Sequence, residues 1–470
     1  MIFDPKYIIK TDGDYVLGDK ESAVANKCLS DGVFHTLWRG FTFEKSELVM
    51  TEGEELVFRI GDAERLPLDG YAYTVNVEEK GVCVYAENTN ALIWGFMALL
   101  DRITPVDNGG ETQLLIGGCQ IKDAPTVDRR GVHFCVFPET ELWELQRFVR
   151  LCGVLRYTHI ILEFWGMLKF DCMKELSWER GFTKEQIAPI IREARALGLE
   201  VIPMFNHWGH ASACRVASGK HVVLDQAPLL QTYFSEDGWC WNIEAPKVRE
   251  LLRAVRRELI ELCGDGEYFH IGCDEAYNFD LTQKKYMDLI CDYINEVSAE
   301  LAAEGRRAIV WGDMFLYRYQ SYDPQNRYSC NAALPECEEY MLSRLCKSVI
   351  IADWQYNAKV APVETSAVFT RRDFDCMLCP WDRGIEQMNA CVTTVKEQKL
   401  FGLIHTTWHT LSKGMPYVTT AAVESFDGEL VGSIRSHRPQ TASVLRKIYP
   451  AGGEYERSGW ARAQISDITV

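Results

Sequence analysis

The chain has 470 residues, 47% hydrophobic and 25% charged, which is the composition of a globular protein and excludes intrinsic disorder as a description of the whole. Its 50 Lys+Arg against 67 Asp+Glu give a formal net charge of -17. Such a surface repels phosphate backbones and anionic lipid, so nucleic-acid and membrane partners are not expected.

Residues 55–60 (ELVFRI), 71–77 (YAYTVNV) and 81–87 (GVCVYAE) alternate or run apolar, as strands do. Asn88 is placed to cap a helix over 89–103, with Leu92, Phe96, Leu99 and Leu100 on one face and Pro105 ending it. DNGG at 107–110 reads as a turn, and 113–116 as a further strand. These pieces make a small α/β domain over residues 1–122.

From Arg130 the rhythm changes. Apolar runs at 132–137, 159–164, 200–205, 269–272, 308–312, 349–354, 374–378 and 403–407 alternate with helical patterns such as 184–197, 247–262 and 282–304. Eight such runs fit a (β/α)8 TIM barrel, assigned to residues 123–430, better than a doubly wound sheet. Residues 431–470 are left as a C-terminal helix (441–448) and tail.

The 17 cysteines are odd in number and follow no framework, and the single C-x-x-C pair is Cys376 and Cys379. Without a second pair at zinc spacing, these two read as buried structural residues, and the set as free thiols in a reducing compartment. The opening MIFDPKYIIK lacks the apolar core of a signal peptide, and no run approaches the roughly 18 apolar residues of a membrane span. A cytoplasmic location is expected.

A barrel builds its active site from the C-terminal ends of its strands. Those ends carry Glu163; Asn206, His207 and His210; Asp274 and Glu275; Trp311 and Asp313; Asp353, Trp354 and Tyr356; Trp381 and Asp382; and Trp408 and His409, while Arg130 stands before the first run. Carboxylates beside several indoles suit a sugar: the rings cover its apolar faces, and the carboxylates bind hydroxyls or move protons. Asp274 and Glu275 are adjacent after a strand and a glycine, so they point differently, and their repulsion is expected to raise one pKa.

The stretch HIGCDE (270–275) resembles the H-x-G-G-D-E motif of glycoside hydrolase family 20, the β-N-acetylhexosaminidases. Arg130-Gly131 resembles the opening of that family's barrel. EVIPMFNHWGH, IVWGDM and ADWQY resemble its third, fifth and sixth strands, so the likeness runs over roughly residues 55–410. The resemblance implies substrate-assisted retention, in which the substrate's acetamido oxygen attacks the anomeric carbon. It implies Glu275 as general acid and base, Asp274 as the group holding the acetamido N–H, and Tyr356 as donor to its oxygen. Trp311, Trp354 and Trp408 match the aromatic walls. Arg130 matches the arginine gripping outer hydroxyls, and His210 with Glu163 a supporting histidine–acid pair. Cys273 stands where the family commonly has glycine. His409-Thr410 stands where many members have a hydroxyl-binding carboxylate, a contact for which Asp382, Trp381 or Asn357 are substitutes.

The expected function is exo-cleavage of terminal β-linked GlcNAc or GalNAc, with no cofactor and no metal. The partner is a small oligosaccharide or glycoconjugate, and the oligomeric state is open, a homodimer included. Plainer readings stand beside this one. Asp274 and Glu275 could be a surface pair or helix cap, Arg130 a structural ion pair, and the tryptophans packing. His207 and His210 could form a metal H-x-x-H, although they lack a third ligand. A non-catalytic sugar-binding protein and a double-displacement β-glycosidase are the competing functions.

Overall fold

The computed structural model describes residues 2–212, 220–317, 326–408 and 411–448, the side chains of 411–413 excepted. The eight parallel strands of a closed barrel are Arg130–Cys135, His159–Glu163, Glu200–Met204, Tyr268–His270, Arg307–Trp311, Ile350–Trp354, Asp375–Cys379 and Gly402–Thr406. The first and last pair, Arg130 opposite Leu403, and close the ring. A helix follows each strand: Leu142–Val154, Lys184–Ala196, Pro246–Cys263, Lys284–Ala303, Pro335–Arg344, Thr365–Thr370, Ile385–Gln398 and Leu411–Asp427. This is the (β/α)8 architecture expected from the alternation, and all eight strand-like runs belong to it.

Ahead of the barrel stands a seven-stranded sheet containing Val57–Gly61, Tyr73–Glu78 and Gly81–Ala86, together with Tyr7–Lys10, Lys20–Asn26, Glu47–Gly53 and Cys119–Asp123. The helix on it, Thr89–Leu100, is capped as expected by Asn88, whose side chain accepts from the Ala91 N–H. It is buried on almost every side because Trp94 also meets Phe426 edge-on at 5.9 Å, joining the sheet layer to the barrel helix Leu411–Asp427.

The helix stops at Leu100 rather than near 103, and Pro105 does not end it. Pro105 lies in the strand Ile103–Asn108, which pairs with Glu111–Ile116 through a Gly109-Gly110 turn. That strand is at the edge of its three-stranded sheet, where the missing proline N–H costs no ladder bond.

Cys376 and Cys379 are buried free thiols on the seventh barrel strand. Being three apart on a strand, they face opposite sides of it, so they form neither a shared metal site nor a bridge. The helix Arg438–Lys447 lies within the last expected segment; residues 449–470, and with them most of the tail, lie outside the described residues. Among the described residues no helix is long and apolar enough to cross a membrane.

Candidate active site

Because the strands are parallel, their C-terminal ends share one mouth. Glu163, Trp311 and Trp354 are the last residues of their strands; His210, Asp274, Glu275, Asp313, Tyr356, Trp381, Asp382 and Trp408 follow theirs closely. The backbone reaches this geometry through a tight turn. Gly272 has φ +67°, and a Cβ there would lie 1.6 Å from Asn206 Oδ1, so a side chain at this position would displace Asn206. Cys273 (φ +74°), Glu275 (+49°), His210 (+58°) and Trp408 (+38°) are also left-handed. Strain of this kind collects at functional sites.

Asp274 and Glu275 share one partner. His210 Nε2 lies 3.3 Å from Asp274 Oδ2 and 2.9 Å from Glu275 Oε2. Asn206 donates its side-chain N–H to Asp274 Oδ1 at 3.0 Å, and the Tyr277 hydroxyl donates to Glu275 Oε1 at 2.7 Å. Burial pushes the Asp274 carboxyl up, but the His210 and Lys220 charges outweigh it and hold Asp274 well below the usual carboxylate range. Burial pulls His210 down, yet Asp274 and the hydrogen bonds to both carboxylates raise it to about 9. Asp274 is 4% exposed, which removes the surface-pair reading, and no helix starts at it. Glu275 is more open, with a side chain 30% exposed.

A third carboxyl stands beside this pair. Asp313 is pushed up to about 7 by burial and by the charges of Asp274 and Glu275, against the pull of its N–H donors. It accepts from the Glu275 backbone N–H at 3.1 Å, Asn331 at 2.7 Å and the Trp354 indole at 3.0 Å, tying three strand ends together.

The aromatic residues form a connected wall. The Trp408 indole donates to the Tyr356 hydroxyl at 2.5 Å, and the Tyr356 ring lies 5.0 Å from Trp354 and 5.1 Å from Trp381. An indole N–H can only donate, so the tyrosine oxygen accepts there and its own proton is available elsewhere. Trp311 is fully buried against His270 (4.3 Å) and Trp408 (5.6 Å). Asp382 is half-buried beside Trp381. Asn357 is exposed and lines a cavity next to Glu275. His409 and Thr410 lie outside the described residues.

Two expectations are corrected. Arg130 begins its strand, so it lies at the opposite end of the barrel from the site. Its guanidinium donates to the carbonyls of Val127, Asp128 and Arg156 and stacks over Trp94 and Phe426, so it grips backbone and rings rather than a sugar. Glu163 is held not by His210 but by Lys220, at 2.6 Å, and His133, at 3.0 Å.

Lys220, His133, Tyr277 and Trp239, whose ring lies tilted 4.3 Å from His210, were not anticipated. Tyr277 lies two residues beyond Glu275 and was reachable from the motif; Lys220 has no pattern around it.

Two clusters have the donor set of a metal site: His210, Asp274 and Glu275, and His133, Cys135 and Glu163. Neither suits a cation. His210 already donates a proton to both carboxylates, while Lys220 supplies the charge at Glu163 and burial keeps the Cys135 thiol protonated. His207 faces the Phe205 carbonyl and Arg256 and does not complete an H-x-x-H site.

Comparison with known proteins agrees with this fold. The family model "Glycosyl hydrolase family 20, catalytic domain" matches residues 161–332. A lacto-N-biosidase of Bifidobacterium bifidum is 19% identical over 284 residues, 56% of this chain; the chain covers only 24% of that relative's length. The fold is similar to a Flavobacterium johnsoniae chitobiase (TM-score 0.67, 15% identity, covering 94% of this chain and 72% of that one). It is also similar to a Bacteroides fragilis β-N-acetylhexosaminidase (TM-score 0.66, 15% identity, covering 96% and 98%).

Proposed function

We infer that this chain, a family 20 glycoside hydrolase in fold and in catalytic-domain sequence, is an exo-acting β-N-acetylhexosaminidase working by substrate-assisted retention. The observation that carries the reading is the asymmetry of the adjacent carboxylates. Asp274 is buried and kept ionised, while Glu275 opens toward the mouth. An ionised, immobile Asp274 accepts the acetamido N–H and stabilises positive charge formed beside it. Glu275 gives its proton to the leaving oxygen as the acetamido oxygen closes on the anomeric carbon and the glycosidic bond breaks. Glu275 then takes a proton from the water that reopens the ring.

The nearest donor atoms of Asp274, Glu275 and His210 all lie within 4.8 Å of one another. That closeness lets the single His210 Nε2 serve both carboxylates, while the retaining step uses the substrate's own acetamido oxygen in place of a second carboxylate. Tyr356, with its oxygen already accepting from Trp408, is assigned to donate to the acetamido oxygen; Trp354, Trp381 and Trp408 are assigned as the sugar's walls, and Asp382 as an outer hydroxyl contact. Trp311 backs that wall, and Asp313 positions Glu275 and Trp354.

Release of nitrophenol from the aryl β-GlcNAc or β-GalNAc glycoside, and of GlcNAc from a β-linked disaccharide with the latter lost in Glu275→Gln, tests this. No turnover of any β-hexosaminide, with sugar binding retained, would leave a binding protein instead. A thiazoline that mimics the cyclic intermediate binds tightly under this mechanism and weakly under double displacement. We further propose a reducing compartment, a reading that the buried free thiols support; a thiol count on protein isolated under alkylating conditions checks it.

A further inference from the structure

Beside Glu275 the surface opens into a cavity of about 410 Å³, within the usual size for a small-molecule site. Part of its wall is the active site itself: Glu275, Tyr277, Trp354 and Asn331, the last two bonded to Asp313. A general acid must face the oxygen that leaves, so a cavity lined by Glu275 is where the leaving group lies. Arg327 is the sole cation among the lining residues, and it has no ion pair or hydrogen bond from its side chain among the described residues. Its backbone is fixed: Arg327 pairs with Asn357 across a two-stranded sheet, and two residues on Ser329 N–H donates to Gln355 Oε1 at 2.7 Å. An exposed arginine with an anchored backbone, unpaired among the described residues and lining the same cavity as the Glu275 carboxylate, in a chain of net charge -17, is a residue with its partner still to come.

We propose that this cavity is a subsite for an anionic leaving sugar, one bearing a carboxylate or a sulfate ester, whose charge is taken by the Arg327 guanidinium. The fork of N–H donors matches the two oxygens of either group. The subsite rests on the glycosidase reading above.

The test compares kcat/KM for GlcNAc β-linked to glucuronate with that for the same disaccharide as its neutral uronamide, and GlcNAc β-linked to glucose 6-sulfate with that to glucose, all at low ionic strength. An exposed pair of this kind supports about a fivefold preference for the anion, and salt screens it. The ratio falls toward one in Arg327→Gln and is partly kept in Arg327→Lys. Which of the two anions shows the larger ratio identifies the group. A ratio near one in the wild type, or one unchanged in Arg327→Gln, overturns the subsite. Failure to release GlcNAc even from the nitrophenyl glycoside counts against the glycosidase reading instead. In that case calorimetric binding of the uronate disaccharide to wild type and Arg327→Gln decides the subsite: equal affinity rejects it.

Discussion

Lys220 Nζ lies 2.6 Å from Glu163 Oε1, with both side chains at most 3% exposed. Burial pushes Glu163 up, but Lys220 and His133 outweigh it and bring it to about 2, so the pair is ionic inside the protein. The ammonium also stands 5.1 Å over the Trp408 ring, which in turn holds Tyr356. A buried charge that loses its partner is expensive. Lys220→Met is expected to lose about 3–5 kcal/mol in urea unfolding, and the double variant Lys220→Met, Glu163→Met to recover most of it. Equal losses in the single and double variants would show that the pair is not the unit that matters.

Asp274→Asn keeps the shape of the side chain and removes the charge that the site works to maintain. Its kcat is expected to fall by about 10²–10³, the cost of one preorganised electrostatic contact, with thiazoline affinity falling alongside. Glu275→Gln should behave differently. Nitrophenolate leaves with little help, so the loss should be smaller on the aryl glycoside than on a disaccharide. A loss that ignores the leaving group would remove Glu275 from the acid role.

The site also couples to stability through pH. His210 is raised from its ordinary value to about 9, so the folded state binds its proton more tightly than the unfolded chain. The resulting stabilisation is complete below about pH 6.5 and is lost as pH rises through about 9. Glu163 works in the other direction: its contribution is present above about pH 4.5 and is lost as pH falls toward 2. The urea midpoint should therefore decline between pH 6.5 and 9, and His210→Asn should flatten that decline. A decline of equal slope in the variant would assign it to other groups.

What the sequence showed and hid follows from where periodicity carries information. Barrel strands are apolar runs between helices, so all eight were legible, and strand ends gave most of the mouth. Lys20–Asn26 was not legible, because its sequence KESAVAN buries Glu21, Ala23 and Ala25 and lacks the large apolar residues that mark a strand. Lys220 follows no pattern, since its role depends on a loop reaching Glu163. Cys273 was seen as standing in a glycine's place, and φ +74° gives the reason. Cys273→Gly trades that strain against a small lost thiol and should change stability by no more than about 1 kcal/mol. Cys273→Val, β-branched at the same φ, should lower the melting temperature clearly more. Equal effects would mean that the backbone at 273 is not under strain.

Arg130 is the case where a matching dipeptide pointed to the wrong end of the barrel. Three backbone carbonyls depend on its guanidinium, which is 1% exposed between Trp94 and Phe426. Arg130→Met keeps an apolar chain against those rings but leaves the carbonyls of Val127, Asp128 and Arg156 without that donor. At roughly 1–3 kcal/mol for an unsatisfied buried group, the loss of stability should be about 3 kcal/mol or more. KM for the aryl glycoside should stay at the wild-type value at a temperature where the variant is folded, since Arg130 and Glu163 lie at opposite ends of paired parallel strands. Trp354→Ala, at the mouth, should do the reverse and raise KM. An Arg130→Met protein with unchanged unfolding midpoint and a raised KM would return the arginine to the sugar.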